Sequence, residues 1–112
     1  MGKGEFLGEF EQVVLLAVAR LGDNGYGLTI RREIERRTGR EVSVGAVYAT
    51  LTRLEEKGYV ATWQGESTAR RGGRAKRHYK LKPAGAKALE ASRRMLERLW
   101  EGLEEPSRPR RA

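Results

Sequence analysis

The sequence predicts a mainly α-helical domain that carries one small β-hairpin. Three observations support this fold class. Three segments in the first half of the chain space their apolar residues as helices do, two short β-favouring runs flank a Gly-Gly pair, and a long apolar stripe precedes the C-terminus. The 112 residues are the size of one domain. Because so short a chain buries only a small core, association with a second subunit is a common source of additional stability.

The first predicted helix extends from Phe6 to Leu21 and is apolar on nearly every side in its middle. Leu15 and Leu16 lie opposite the main apolar face, so this helix has two faces to bury. We expect another subunit to cover the second face. From this helix, the residues predicted to contact that subunit are Phe10 and Val14.

The second predicted helix extends from Tyr26 to Thr38, and the third begins after Ser43 and continues to about Lys57. Ser43 is a favourable N-cap residue. The apolar residues of the third helix form one narrow stripe, and its opposite face is small and almost uncharged. Such a face suits a helix that enters a DNA major groove with its N-terminal residues towards the bases. The predicted DNA contacts are Ser43, Gly45, Ala46, Tyr48, Ala49, Thr52 and Arg53.

Two of these contacts have alternative interpretations. Arg53 can form an ion pair within its own helix, with Glu55 or Glu56, which stabilises a helix only slightly. Tyr48 can pack its ring against the β-hairpin that follows. Packing and DNA contact are compatible for Tyr48, since the ring can be packed while the hydroxyl binds a phosphate.

The positive charge is confined to two segments of the chain. The formal net charge is +8, from 23 Lys and Arg residues against 15 Asp and Glu residues. Residues 67–82 contain seven basic and no acidic residues, and residues 106–112 add three basic residues. Residues 1–66 and 83–105 each have a net charge of −1. This distribution indicates a polyanionic partner for one short segment.

The basic segment coincides with a predicted β-hairpin. The strands are predicted over Tyr59–Glu66 and Lys76–Leu81, and the residues between them contain the Gly72-Gly73 pair. We expect the basic side chains to contact phosphates, with Arg71 or Arg74 entering a minor groove. The alternative is a solvated loop, and we interpret His78 as structural. The predicted contacts are Arg70, Arg71, Arg74, Lys76 and Arg77.

The last predicted helix extends from Pro83 to Glu105, and its apolar residues recur at heptad spacing. This pattern predicts pairing with the same helix of a second subunit. An amphipathic helix folded back on its own domain is the alternative. The predicted dimer contacts on this helix are Leu89, Met95, Leu96, Leu99, Trp100 and Leu103. Met95, Leu96 and Trp100 are also candidates for an effector pocket, in which Trp100 stacks on a small aromatic molecule; plain dimer packing is the alternative.

The order of these elements predicts a winged helix-turn-helix plus a C-terminal dimerisation helix. The DNA-binding domain is assigned to residues 6–82, the dimerisation helix to residues 83–105 and a disordered basic tail to residues 106–112. A two-fold dimer of this kind presents two recognition helices about one DNA turn apart.

Two runs of the sequence resemble the PadR family of transcriptional regulators: SVGAVYATLTRLEEKGYV from residue 43 and RRGGRAKRHYKLKPAG from residue 70. The similarity extends over roughly residues 7–105, and the single short C-terminal helix is similar to the compact branch of the family. The resemblance implies a homodimeric, usually repressing regulator at a promoter inverted repeat, often released by a small effector. It also implies that Tyr48 touches the DNA backbone. Lys82 stands where the family usually has Thr, so we expect a looser start to the last helix.

The composition excludes several other function classes. The chain has no Cys and one His, so disulfides, thiolate chemistry and multi-histidine metal sites are excluded. No catalytic constellation or cofactor motif is present, and we predict no enzyme activity, no cofactor, no membrane segment and a cytoplasmic location. Two competing interpretations stay open: a basic RNA-binding or ribosome-associated protein, and a winged-helix adaptor that binds protein.

Overall fold

The structure, a computed structural model, describes residues 6–65 and 76–103 and has the predicted fold class. Within these residues, four α-helices accompany a two-stranded antiparallel hairpin. The elements in chain order are α1 (Glu9–Leu21), a 3-10 turn (Gly22–Asn24), α2 (Gly27–Thr38), α3 (Val44–Glu56), β1 (Val60–Gln64), β2 (Arg77–Leu81) and α4 (Pro83–Trp100).

The ends of the outer helices differ from the prediction. Helix α1 begins at Glu9, not at Phe6, because the Glu11 carboxylate accepts a hydrogen bond from the Gly8 amide at 2.9 Å and caps the helix there. Helix α4 ends at Trp100, short of the predicted Glu105. The Leu103 amide turns back to the Trp100 carbonyl at 2.8 Å, which replaces the helical hydrogen-bond pattern.

One hydrophobic core holds the three N-terminal helices and the hairpin together. Its fully buried members come from all three helices: Val14, Leu15, Val18, Ile30, Ile34, Val47, Leu51 and Leu54. Val60 of β1 and Tyr79 of β2 close it from the hairpin side, at 2% and 3% exposure. The stripe predicted for α3 is therefore the face that packs on α1 and α2.

The dimer contact predicted at Val14 is wrong. Val14 has 0% exposure within its own subunit, so it has no surface to offer a partner. Leu15, predicted to lie on the second face of α1, is also fully buried, and only Leu16 remains half-exposed. Helical spacing correctly predicts that these residues are covered. The cover comes from side chains of α2 and α3 in the same chain, not from a second subunit.

Helix α4 is anchored at its start and exposed at its end. The Lys82 amide donates to the Tyr59 carbonyl at 2.9 Å, and no side chain caps the helix, as predicted from Lys82. Ala88 and Leu89 pack against the core, whereas Leu96, Leu99 and Trp100 are 43%, 69% and 51% exposed. The C-terminal half of α4 therefore keeps much of its apolar surface uncovered by its own domain.

Candidate nucleic-acid interface

The exposed face of α3 has the character that the sequence predicts. The Ser43 hydroxyl accepts a hydrogen bond from the Ala46 amide at 3.0 Å, so the predicted N-cap is confirmed. The exposed residues of α3 up to position 53 are Gly45, Ala46, Tyr48, Ala49, Thr52 and Arg53, and the last turn also exposes Glu55 and Glu56. The first two turns of this face therefore carry small side chains and one phenol, and a flat surface of this kind permits close approach to base edges.

Tyr48 lies between α2 and the hairpin. Its phenol occupies the space that a Cβ at Gly27 would need, so the ring packs against the first residue of α2. The same ring lies near Tyr79 of β2. Burial raises the pKa of the Tyr79 phenol, and the neighbouring Tyr48 raises it further. Tyr48 is 40% exposed, and its hydroxyl oxygen is the atom that lies closest to where a Cβ at Gly27 would be.

Arg53 is held by a carboxylate of α1 and by a hydroxyl of its own helix. Its Nε lies 3.5 Å from the Glu11 carboxylate, and its terminal nitrogen donates to the Thr50 hydroxyl at 3.2 Å. The alternative pairing with Glu55 or Glu56 is therefore wrong. Arg53 keeps 52% of its side chain exposed, which leaves the guanidinium accessible at the edge of the α3 face.

Glu11 is the buried carboxylate that organises this edge. It is 8% exposed and binds the Lys57 ammonium at 3.0 Å in addition to Arg53. Burial alone would raise the pKa of the Glu11 carboxyl. Hydrogen bonds from the Gly8 amide, Lys57 and Arg53, with the Lys57 charge, outweigh burial and hold this pKa below its ordinary value of 4.5.

We expect Glu11→Gln to remove a pH-dependent part of the stability. The folded pKa lies below the unfolded one, so the stabilisation is complete above pH 4.5 and is lost as the pH falls through the folded pKa. Near neutral pH the variant should lose about 1 kcal/mol of unfolding free energy. Urea unfolding of both proteins between neutral and acidic pH measures the difference. Glu90→Gln, on an exposed ion pair with Arg94, is the control and should change little; a constant gap at all pH values would contradict the prediction.

The structure describes two of the predicted basic residues of the hairpin, and one of them contacts α3. Lys76 and Arg77 are both exposed, and an Arg77 terminal nitrogen lies 4.0 Å from the Glu55 carboxylate of α3. Lys80 is paired with Asp23 at 2.9 Å, so part of the basic segment is neutralised by the domain itself. The other predicted contacts, Arg70, Arg71 and Arg74, lie outside the described residues.

A groove of about 560 Å³ runs between α1 and α4. Leu96 and Trp100 line it, whereas Met95, the third residue predicted for an effector pocket, does not. Leu16 of α1 and Leu89 of α4 are further lining residues. Gln12, Glu90, Arg93 and Glu97 complete the lining, so the groove combines apolar side chains with charged and polar ones.

Sequence reasoning missed Glu11 and Gly27, which position Arg53 and Tyr48. A signal for Glu11 exists: it is a charged residue directly beside the apolar stripe of the first helix. Gly27, which directly follows Tyr26 at the start of a helix, gave no comparable signal.

Helix α3 is capped by Ser43, exposes small side chains and is followed by a basic hairpin. This arrangement defines the class of the molecule as a winged helix-turn-helix protein. The chain belongs to the transcriptional regulator PadR-like family, whose model matches residues 15–91. The resemblance drawn from the two sequence runs is thereby confirmed. The family is one of regulators and not of enzymes, in agreement with the sequence prediction. Within residues 6–65 and 76–103, no helix is both long and apolar enough to span a bilayer.

Known proteins support this assignment. The chain is 40% identical over 74 residues to the transcriptional regulator Rv3488 of Mycobacterium tuberculosis, a match that covers 66% of this chain and 64% of that protein. The chain thus spans less than two thirds of the length of that relative. A transcriptional regulator from Clostridium thermocellum has a similar structure, with a TM-score of 0.68, 22% identity and coverage of 88% and 92% of the two chains.

The Bacillus subtilis PadR structure in complex with operator DNA is also similar, with a TM-score of 0.62 and 16% identity. The match covers 91% of this chain and 54% of that chain. At these identities the two structural likenesses establish the fold alone.

Proposed function

We propose that this chain is a sequence-specific DNA-binding transcriptional regulator that acts as a homodimeric, cytoplasmic repressor at a promoter inverted repeat. One observation carries the proposal: α3 exposes a face of small side chains, and exposed Arg77 of the basic hairpin contacts the same helix at Glu55. The operator complex of the similar Bacillus subtilis PadR supports DNA as the partner.

In this proposal the two surfaces have different tasks. Helix α3 enters the major groove and reads base edges through Ala46, Ala49 and Thr52, with Arg53 at a phosphate or a guanine edge. The basic hairpin binds phosphates, which adds affinity that is independent of sequence. Tyr48 contributes its hydroxyl to the DNA backbone.

The dimer is proposed to form through α4 and the exposed part of α1. Leu99 is 69% exposed, and Leu96, Trp100 and Leu103 continue the same apolar surface along one end of the molecule. A large contiguous apolar surface of this kind is typical of an interface. Phe10 can contribute only one edge of its ring to this interface, because the ring is half-buried and the Arg40 guanidinium lies 5.2 Å from its centre.

We expect Leu99→Glu to convert the dimer into monomers, because two carboxylates would be buried in an apolar interface. Sedimentation equilibrium measures the change, and circular dichroism should stay unchanged because Leu99 does not pack in its own domain. Lys87→Glu, at an exposed site near the start of α4, is the control and should leave the dimer intact. A dimer that survives Leu99→Glu would contradict the proposed interface.

The groove between α1 and α4 is proposed as the effector pocket, with Trp100 stacking on a planar aromatic molecule. Quenching of Trp100 fluorescence in a Trp63→Phe background tests it. Absence of quenching across a set of planar aromatics would leave plain dimer packing as the role of Leu96 and Trp100.

Selection from random-sequence duplexes tests the central proposal. We expect an inverted repeat whose half-sites lie about 34–36 Å apart along the DNA, or a multiple of that spacing. Structured RNA that competes as well as the selected duplex would favour the RNA-binding alternative. Failure to bind either nucleic acid would favour the protein-binding adaptor.

The double variant Arg74→Ala and Arg77→Ala should weaken DNA binding in a salt-dependent manner. Two lost phosphate contacts make the slope of log K against log salt shallower by about 1.8. Fluorescence anisotropy with a labelled duplex at several salt concentrations measures this slope. Lys87→Ala with Arg94→Ala removes the same charge from α4 and serves as the control. An unchanged slope in the hairpin variant would mean that the hairpin does not contact phosphates.

A further inference from the structure

His78 lies near the end of the hairpin and is packed on several sides. Its ring stacks on Trp63, its cross-strand partner, with ring centres 5.2 Å apart and an angle of 22° between the planes. The Tyr26 ring meets it edge-on at 5.1 Å. A Cβ at Gly65 would come within 2.6 Å of the imidazole, so the backbone of the preceding strand also closes over it.

The same contacts join the hairpin to the start of the helix-turn-helix unit. Tyr26 is the N-cap residue of α2 and forms an isolated antiparallel bridge with His78. One residue further, the Tyr79 amide donates to the Gly25 carbonyl at 2.8 Å. His78 therefore sits at the joint between the hairpin and α2, in contact with both.

The joint also includes Lys76, the residue directly before β2. The Lys76 ammonium lies 5.1 Å from the centre of the Tyr26 ring, and the Lys76 carbonyl oxygen lies 3.1 Å from Nδ1 of His78. Arg77 lies between these two residues and is exposed. Because a two-stranded hairpin has little stability of its own, its direction must be fixed by contacts with the rest of the domain.

The two faces of β2 make different contacts with the rest of the domain. Tyr79 is 3% exposed and belongs to the hydrophobic core, whereas His78 points to the opposite face and is half-buried. Removing the imidazole should therefore leave the core and the fold in place. It would remove the contacts that orient Lys76 and Arg77.

We infer that His78, clamped between Trp63 and Tyr26, is a positioning residue of the DNA interface: it sets the direction of the hairpin so that Lys76 and Arg77 reach DNA phosphates. The inference rests on the proposed DNA-binding function. It assigns to this side chain a role in binding that is separable from its role in folding.

The test compares alanine and aromatic replacements at both halves of the stack. His78→Ala and Trp63→Ala remove it, whereas His78→Phe and Trp63→Phe keep a flat ring at each position. The affinity for a labelled random-sequence duplex is measured at several salt concentrations, and thermal unfolding is followed in parallel. For each phosphate contact that is lost, we expect both alanine variants to bind about five- to tenfold more weakly at about 0.1 M salt. The slope of log K against log salt should become shallower by about 0.9 per lost contact.

The aromatic variants should recover both the affinity and the slope of the wild type. An alanine variant that is folded and keeps the wild-type slope would overturn the inference, even if its affinity falls. If His78→Ala does not fold, the comparison of Trp63→Ala with Trp63→Phe tests the inference in the same way. Wild-type protein that does not bind the duplex at all would instead overturn the proposed function, so the two failures are distinguishable.

Discussion

Leu51→Ala is expected to lower the free energy of unfolding by about 2–5 kcal/mol. Leu51 lies in the middle of α3 with 0% exposure and is part of the core that joins the first three helices. Truncation removes buried methyl groups and leaves a cavity that the surrounding helices fill only in part. Because a domain of this size has a stability of about 5–15 kcal/mol, α3 would lose much of its support.

Thr52→Ala is the matched control for this substitution. Thr52 is the next residue of the same helix but faces solvent, so its truncation should change the unfolding free energy by no more than about 0.5 kcal/mol. Urea unfolding at a fixed protein concentration measures both variants, since dimerisation would make the midpoint depend on concentration. Equal stabilities for the two variants would contradict the burial of Leu51.

Gly85→Ala is expected to destabilise the protein by about 1–3 kcal/mol although alanine favours helices. A Cβ at this position would overlap the Tyr59 carbonyl oxygen and lie 2.8 Å from the Leu81 side chain. The carbonyl belongs to the backbone and already accepts the Lys82 amide, so the start of α4 has to move. Since α4 carries the proposed dimer surface, operator affinity should fall together with stability.

Gly45→Ala is the matched control, because Gly45 also lies in the first turn of a helix. A Cβ at Gly45 meets nothing within 4 Å, so this variant should gain up to about 1 kcal/mol from helix propensity. Thermal unfolding of the two variants should therefore shift in opposite directions. A stabilised Gly85→Ala protein would show that α4 does not need this close approach to the hairpin.

Local sequence patterns predicted the parts of the fold that depend on local physics. The Ser43 cap and the buried stripe of α3 follow from capping chemistry and from a period of 3.6 residues, and both are confirmed. The small exposed face of α3 follows from the same period. Each of these properties depends only on residues of the same helix, so it can be predicted from one sequence.

Contacts between elements could not be predicted in the same way. The pairing of Arg53 with Glu11 joins residues 42 positions apart, and nearer carboxylates at Glu55 and Glu56 offered a local partner instead. The dimer contact predicted at Val14 is wrong for a related reason. An apolar stripe indicates that a helix face is covered, but it does not say whether the cover comes from the same chain or from a second one.

The contact between Tyr48 and Gly27 links the residue choices at two positions on different helices. A methyl group at position 27 and a phenol at position 48 cannot occupy the same space, so position 27 is restricted to glycine while position 48 carries the ring. A smaller residue at position 48 would lift that restriction. Variation at position 48 and variation at the start of α2 are therefore coupled, and a redesign of either position has to treat the two as one unit.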